Sequence, residues 1–238
     1  MAQDSNEMTA SLRFAINLGN PVLAQQQKDG ELTGITIALA RKIAAAMNRT
    51  PQFSTYDAAG NVVKLAASDV WDIAFLAIDP QRETELRFTA PYVIIEGTIM
   101  VPKNSSITRV EQIDSLGNVI NVGKNAAYDL YLSRNMSKAT LQRYSSSKEA
   151  IDMFIHGQGD MVAGIRQVLA REVQDDDRFR VLPDSFTEIR QAICVSALND
   201  RLYAPVCDLL KTWEENGELN QLVEEFVTGN ISRSESDK

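Results

Sequence analysis

In SLRFAINLGNPVL, Leu12, Phe14 and Ile16 alternate with Arg13, Ala15 and Asn17, and the alternation stops at Gly19, Asn20 and Pro21. A period of two puts one face of a strand against a core, and the Gly-Asn-Pro break turns its end into a loop. After KDGELTG the period changes, because Ile35, Leu39, Ile43 and Met47 recur every four residues. That spacing predicts an amphipathic helix whose stripe faces a sheet. A strand at QFSTY, a helix at NVVKLAAS and a strand at DIAFLA follow, and strands alternating with helices imply an α/β layer with a largely parallel sheet.

PYVIIEGTIMVP is different in kind: a long apolar run without helical spacing, after which the pattern restarts. VINVG, LQRY, DMVAGI and FRVLP read as strands; AAYDLYLSR, SSKEAIDMFI and RQVLAREV read as helices. Ser146 and Glu149 have capping-box spacing at the start of one helix, and the acidic QDDD reads as a solvated turn. FTEIRQAICVS is a second long strand-like run. Asn199 then reads as an N-cap, before a helix whose buried face is Leu202, Val206, Leu209, Leu210 and Trp213. The two long runs, near residues 92–101 and 187–196, bracket the middle block, so the chain is expected to leave one lobe and return to it through a two-strand hinge. The expected lobes are 10–97 with 192–232, and 98–191; residues 1–9 and 233–238, including most of the polar SRSESDK, are expected to be flexible.

With 238 residues, 44% of them hydrophobic, the chain can bury the core of one large soluble domain or two lobes. A net charge of -8 works against non-specific binding to nucleic acid or anionic lipid. No apolar run approaches the roughly 18 residues of a membrane span. The opening MAQDSNEM suits an initiator Met placed before the polar N-terminus of an exported, processed protein, and equally a cytoplasmic start. Cys194 and Cys207 form no C-x-x-C pair and His156 is the single histidine, so no zinc site or Cys/His dyad assembles and no cofactor is expected. Whether the two thiols pair stays open.

Several strings together resemble the family-3 extracellular solute-binding proteins of ABC importers, which have the type 2 periplasmic binding protein fold. They are LRFAINLGNPVLAQQQKDGELTGITIALARKIA, WDIAFLAIDPQRETELRFTAPY, INVGKNAAYDLYL, SSSKEAIDMFIHGQGDMVAGI and WEENGELNQLVEEF. The resemblance implies an exported, periplasmic, monomeric receptor that closes two lobes on a small carboxylate-bearing solute and presents it to an ABC transporter permease. Amino-acid binders of the family hold the ligand carboxylate with an arginine that aligns with Arg82, a guanidinium fork matching a carboxylate bidentately. Their neighbouring hydroxyls align with Ala74, Phe75 and Ala77, so only the Ala77 amide remains to help. The acid that holds the ligand ammonium in those binders aligns with Ile165, beside Arg166. An aromatic of the first loop is replaced by Asn20, and the second-lobe helix start reads Asn125, Ala126, Ala127 in place of a Gly-Thr pair, though its N–H groups still suit an anion.

Arg82 and Arg166 facing one cleft favour an organic anion, a dicarboxylate or a keto acid, over an α-amino acid, unless Glu96 on the crossing strand replaces the missing acid. The expected ligand site is therefore Asn17, Asn20, Phe75, Ala77, Arg82, Glu96, Asn125, Ala126, Arg166 and Gln191, with no catalytic or metal-binding residue. Each has a plainer reading. Arginine at a helix start is commonly a solvated charge, and asparagines after a strand commonly serve turns. Phe75 and Trp71 suit a core or a cleft wall, Tyr128 suits either role, and alternation lets only one of Arg190 and Gln191 face the cleft. His156 reads as a surface residue. Two other functions share this fold: a dehydratase-like enzyme, for which Glu96 is the sole candidate general acid, and the ligand-binding part of a sensor.

Overall fold

The computed structural model of the chain describes residues 10–228. The outer residues 1–9 and 229–238, among them SRSESDK and the end of the first expected lobe, lie outside the described residues. In chain order the strands are β1 (Ser11–Asn17), β2 (Gln25–Gln26), β3 (Leu32–Thr33), β4 (Thr50–Tyr56), β5 (Ile73–Ala77), β6 (Leu86–Pro102), β7 (Val119–Gly123), β8 (Thr140–Tyr144), β9 (Met161–Ile165), β10 (Phe179–Val181) and β11 (Thr187–Ser196). The helices are α1 (Ile35–Ala46), α2 (Ala59–Val63), α3 (Ala127–Asn135), α4 (Ser147–Ile155), α5 (Arg166–Asp175), α6 (Tyr203–Glu215) and α7 (Glu218–Val223).

One sheet runs β4-β1-β5-β11-β6-β9-β7-β8, with β10 alongside β6. β1 pairs in parallel with β4 and β5, and β7 pairs in parallel with β8 and β9. Parallel neighbours need crossover connections, which the intervening helices supply. Pro51 is tolerated in β4 because β4 is an edge strand. β6 and β11 are antiparallel to each other and run between the two parallel groups: β11 also pairs with β5, and β6 also pairs with β9. The sequence expectation of two crossing runs is met, and β6 starts earlier than expected, at Leu86. The ladder between them shifts register around Ala192, opposite Pro91. Proline has no N–H to contribute, and the amide of Ile193 donates instead to Thr89 Oγ1 at 3.2 Å.

The helical stripe at Ile35, Leu39 and Ile43 is fully buried against β1 and β5 residues Phe14, Ile16 and Ile73. Gly34 starts this helix at φ 112°, where a Cβ would come 2.3 Å from the Leu23 carbonyl oxygen, so the entry requires glycine. Val206, Leu210 and Trp213 bury the expected face of α6, but its start differs from expectation. Asn199 lies in the preceding turn and Leu202 takes the N-cap position, which puts Pro205 in the first helical turn, where a missing N–H costs nothing. At α4, Ser146 Oγ accepts from the Glu149 amide at 3.1 Å, while the Glu149 carboxylate accepts from the amide of Ser145 rather than that of Ser146. Cys194, buried, and Cys207, half-buried, are free thiols. No helix of the described residues is long and apolar enough to cross a membrane.

Asp72, just before β5, accepts from the Arg13 amide at 2.8 Å and from its guanidinium at 2.8 and 3.2 Å. Burial alone raises the pKa of this carboxyl, and the Arg13 bonds outweigh it, leaving the value below the ordinary one. A depressed folded value contributes stability that is fully present above the unfolded pKa of about 4 and is lost as pH falls through the folded value. Asp72→Asn is therefore expected to lower the melting temperature at pH 7 and to narrow its gap from wild type as the pH falls below the unfolded pKa of about 4, as read by calorimetry across that range.

Candidate functional site

The carboxyl ends of the parallel strands in both halves of the sheet point into one crevice, the place where open α/β sheets bind ligands. β1 delivers Asn17, Gly19 and Asn20, and β4 delivers Ala58 and Ala59; β5 ends at Ala77 and leads to Arg82. From the other half β7 leads to Lys124, Ala126 and Ala127, β8 to Ser146 and Ser147, and β9 ends at Ile165. Together with Tyr128, Ile189 and Gln191, these residues enclose a cavity of about 40 Å³.

Arg82 is held by a turn built on Asp79. The Asp79 carboxylate accepts from the Gln81 amide at 2.9 Å, and its carbonyl accepts from the Arg82 amide at 2.9 Å. The Arg82 guanidinium is 3% exposed; Nη1 donates to the Ala77 carbonyl and Nη2 to the Asn125 carbonyl, each at 2.9 Å. The second bond crosses from one half of the molecule to the other. Five N–H donors belong to a guanidinium, so those two bonds fix its plane and leave further donors for a guest. Burial pulls its pKa below the ordinary value, with Asp79 and then Cys194 opposing that shift. Burial pushes the Cys194 thiol up to about 12, so it stays protonated beside Arg82. A second contact spans the halves next to it: Arg134 of α3 donates from Nη1 and Nη2 to the two oxygens of buried Asp79, at 3.1 and 2.8 Å. Asn125 adopts φ 61°, a conformation asparagine tolerates, and packs so close to Gly60 of α2 that a Cβ there would lie 2.8 Å from its own.

Asn17, Asn20, Ala77, Arg82, Ala126 and Gln191 all line the cavity. The two asparagines perform turn chemistry as well, accepting from the amides of Gly19 and Val22 at 3.0 and 3.3 Å. Of the pair left open by alternation, Gln191 is buried and Arg190 is exposed. Four expected residues do not line the cavity, and the first of them, Asn125, instead holds Arg82 through its carbonyl. Phe75 is core, stacked on Phe14 at 6.3 Å and meeting Tyr92 edge-on at 6.1 Å. Glu96 and Arg166 do not face the cleft as separate charges: the pairing of Gly97 with Ile165 sets them side by side, and the Arg166 guanidinium bonds the Glu96 carboxylate and, at 3.0 Å, the Leu182 carbonyl. The expectation of two arginines in one cleft is corrected accordingly, the second cation of the cavity wall being Lys124. No Asp or Glu is among the lining residues.

The profile of the bacterial extracellular solute-binding proteins, family 3, matches residues 12–229. The chain belongs to that family. The glutamine-binding protein GlnH of a Bacillus subtilis ABC transporter is 21% identical over 202 residues, 83% of this chain and 74% of its own length. Among solved structures, a cysteine-binding protein from Campylobacter jejuni superposes with a TM-score of 0.80 at 22% identity, covering 92% of this chain and 90% of its own. A histidine kinase sensor domain similar to periplasmic binding proteins gives 0.81 at 17% identity, covering 93% and 98%. At these identities the solved structures share the type 2 periplasmic binding fold.

Lys124, Ser146 and Ser147 are polar wall residues that sequence reasoning did not assign to the site, and Tyr128, which it left open, also lines the wall. Applying the strand-end rule to β4 and β8, as it was applied to β1 and β5, would have pointed to the loop with Ser146 and Ser147. Tyr128 is 3% exposed and donates to Ser147 Oγ at 2.7 Å, joining the starts of α3 and α4 at the cavity wall.

Proposed function

We propose that the chain is the solute-binding component of an ABC importer, exported and monomeric, with lobes 10–97 plus 192–232 and 98–191 closing on a small carboxylate. Arg82 is the carboxylate clamp, and the solute is an organic anion or keto acid without a paired α-ammonium. The observation that carries this reading is the composition of the cavity wall: Arg82 and Lys124 supply positive charge and no lining carboxylate balances it. An α-amino acid would bring an ammonium group with no charged partner among those residues, at a desolvation cost. The first turns of α3 and α4 open on the same wall and favour negative charge. The bonds from Arg82 to Asn125 and from Arg134 to Asp79 join the two lobes, so a solute bound beside them favours the closed state and shifts the hinge equilibrium. A permease then recognises that closed state.

Similarity to a sensor domain favours a second reading, in which the same lobes bind the solute for signalling. Genes for a permease and an ATPase beside this one distinguish an importer. For the enzyme reading, the candidate general acid Glu96 is paired with Arg166 and is not among the lining residues. A thermal-shift panel of monocarboxylates, dicarboxylates and keto acids tests the proposal, since a ligand at 100 times its Kd stabilises by about 2.7 kcal/mol. The best binder should be recovered unchanged by mass spectrometry; a transformed product, or a panel that shifts nothing, contradicts the receptor reading.

A further inference from the structure

The inner cavity, at about 40 Å³, has room for a carboxylate group or a few waters and not for the body of a solute. A second chamber of about 530 Å³ abuts it, and the two share Gly19, Tyr128, Ser146, Ser147 and Ile165 as a common collar. Beyond the collar the exposed wall surface is mainly apolar, supplied by Leu18 and Pro21 from the first lobe and Ile151 and Val168 from the second. Ile165, where related amino-acid binders carry an acid, faces both chambers. Asp57, Asp152, Glu172 and Lys148 line the same chamber, and Lys148 is already paired with Asp152 at 2.5 Å.

We propose that the site takes a monocarboxylate bearing an apolar tail, with the carboxylate in the inner cavity beside Arg82 and Lys124 and the tail in the outer chamber. The inference rests on the reading of Arg82 as carboxylate clamp. Size separates the two ends of the ligand: only a small charged head fits inside, so any larger substituent must pass the collar. The outer walls then reward apolar surface, because burying each methylene removes water from both partners. The carboxylates of Asp57, Asp152 and Glu172 in the outer chamber disfavour a second carboxylate at the far end of the tail, which selects against dicarboxylates of matching length.

Titration calorimetry with acetate, butanoate, hexanoate and hexanedioate tests this on the whole chain. Affinity should rise about fourfold per added methylene from acetate to hexanoate, the ratio that one buried CH₂ supplies. Hexanedioate should bind more weakly than hexanoate. Val168→Phe, which narrows the outer chamber from a half-buried helical position, should lower the hexanoate-to-acetate ratio. A flat series, or hexanedioate as the tightest ligand, overturns the tail chamber while loss of binding in Arg82→Ala keeps the clamp. Hexanoate bound equally by wild type and Arg82→Ala overturns the clamp itself, and binding of none of the four overturns both.

Discussion

Arg82→Ala is expected to weaken binding of any carboxylate solute by two to three orders of magnitude, to the point where calorimetry at millimolar ligand registers little heat. Hydrogen bonds to a charged group contribute about 1.5–3 kcal/mol each, and a bidentate fork makes two of them in a site from which closure excludes water. Removing the guanidinium also removes the bond from Nη2 to the Asn125 carbonyl, one of the contacts between the halves, so the closed state loses support with or without a guest. Arg82→Lys separates charge from shape. An ammonium keeps the positive charge but cannot hold Ala77, Asn125 and both carboxylate oxygens in one plane, so affinity should fall by an intermediate factor. A circular dichroism melt of each variant controls for folding, because Arg82 is buried.

Ile165→Asp is expected to reverse the preference between a keto acid and its α-amino counterpart. Ile165 ends β9, is 8% exposed, and lines the cavity that Arg82 and Lys124 make positive. A carboxylate there supplies the missing ammonium partner and repels a simple anion, and a charge-assisted bond of about 1.5–3 kcal/mol corresponds to a factor of roughly 10 to 150. Competition calorimetry with 4-methyl-2-oxopentanoate and leucine reads the ratio directly. Leucine affinity unchanged by the substitution would place Ile165 away from the bound head group.

Much of this site was legible because strand ends and turn residues announce themselves locally. Asn17, Asn20 and Arg82 follow clear strands, and the cavity forms where those strands stop. Side-chain direction at a strand end was harder to read. Phe75 lies two residues before Ala77 on β5, yet it is committed to the Phe14 and Tyr92 cluster in the core. Glu96 and Arg166 are 70 residues apart, and only the register of β6 with β9 shows that they neutralise each other. Lys124 escaped notice because a lysine beside a helix start looks like any solvated charge. The fork of Arg134 on Asp79 was equally invisible, since the two residues are 55 positions apart and neither belongs to a local pattern.

The central claim is that the cavity binds a carboxylate anion with no acid to hold an α-ammonium. Its most direct test is calorimetric titration of the wild-type protein with 4-methyl-2-oxopentanoate and with leucine, which share a carbon skeleton and differ in the group beside the carboxylate. The keto acid is expected to bind at least tenfold more tightly. Leucine binding as tightly as the keto acid, or more so, would contradict it.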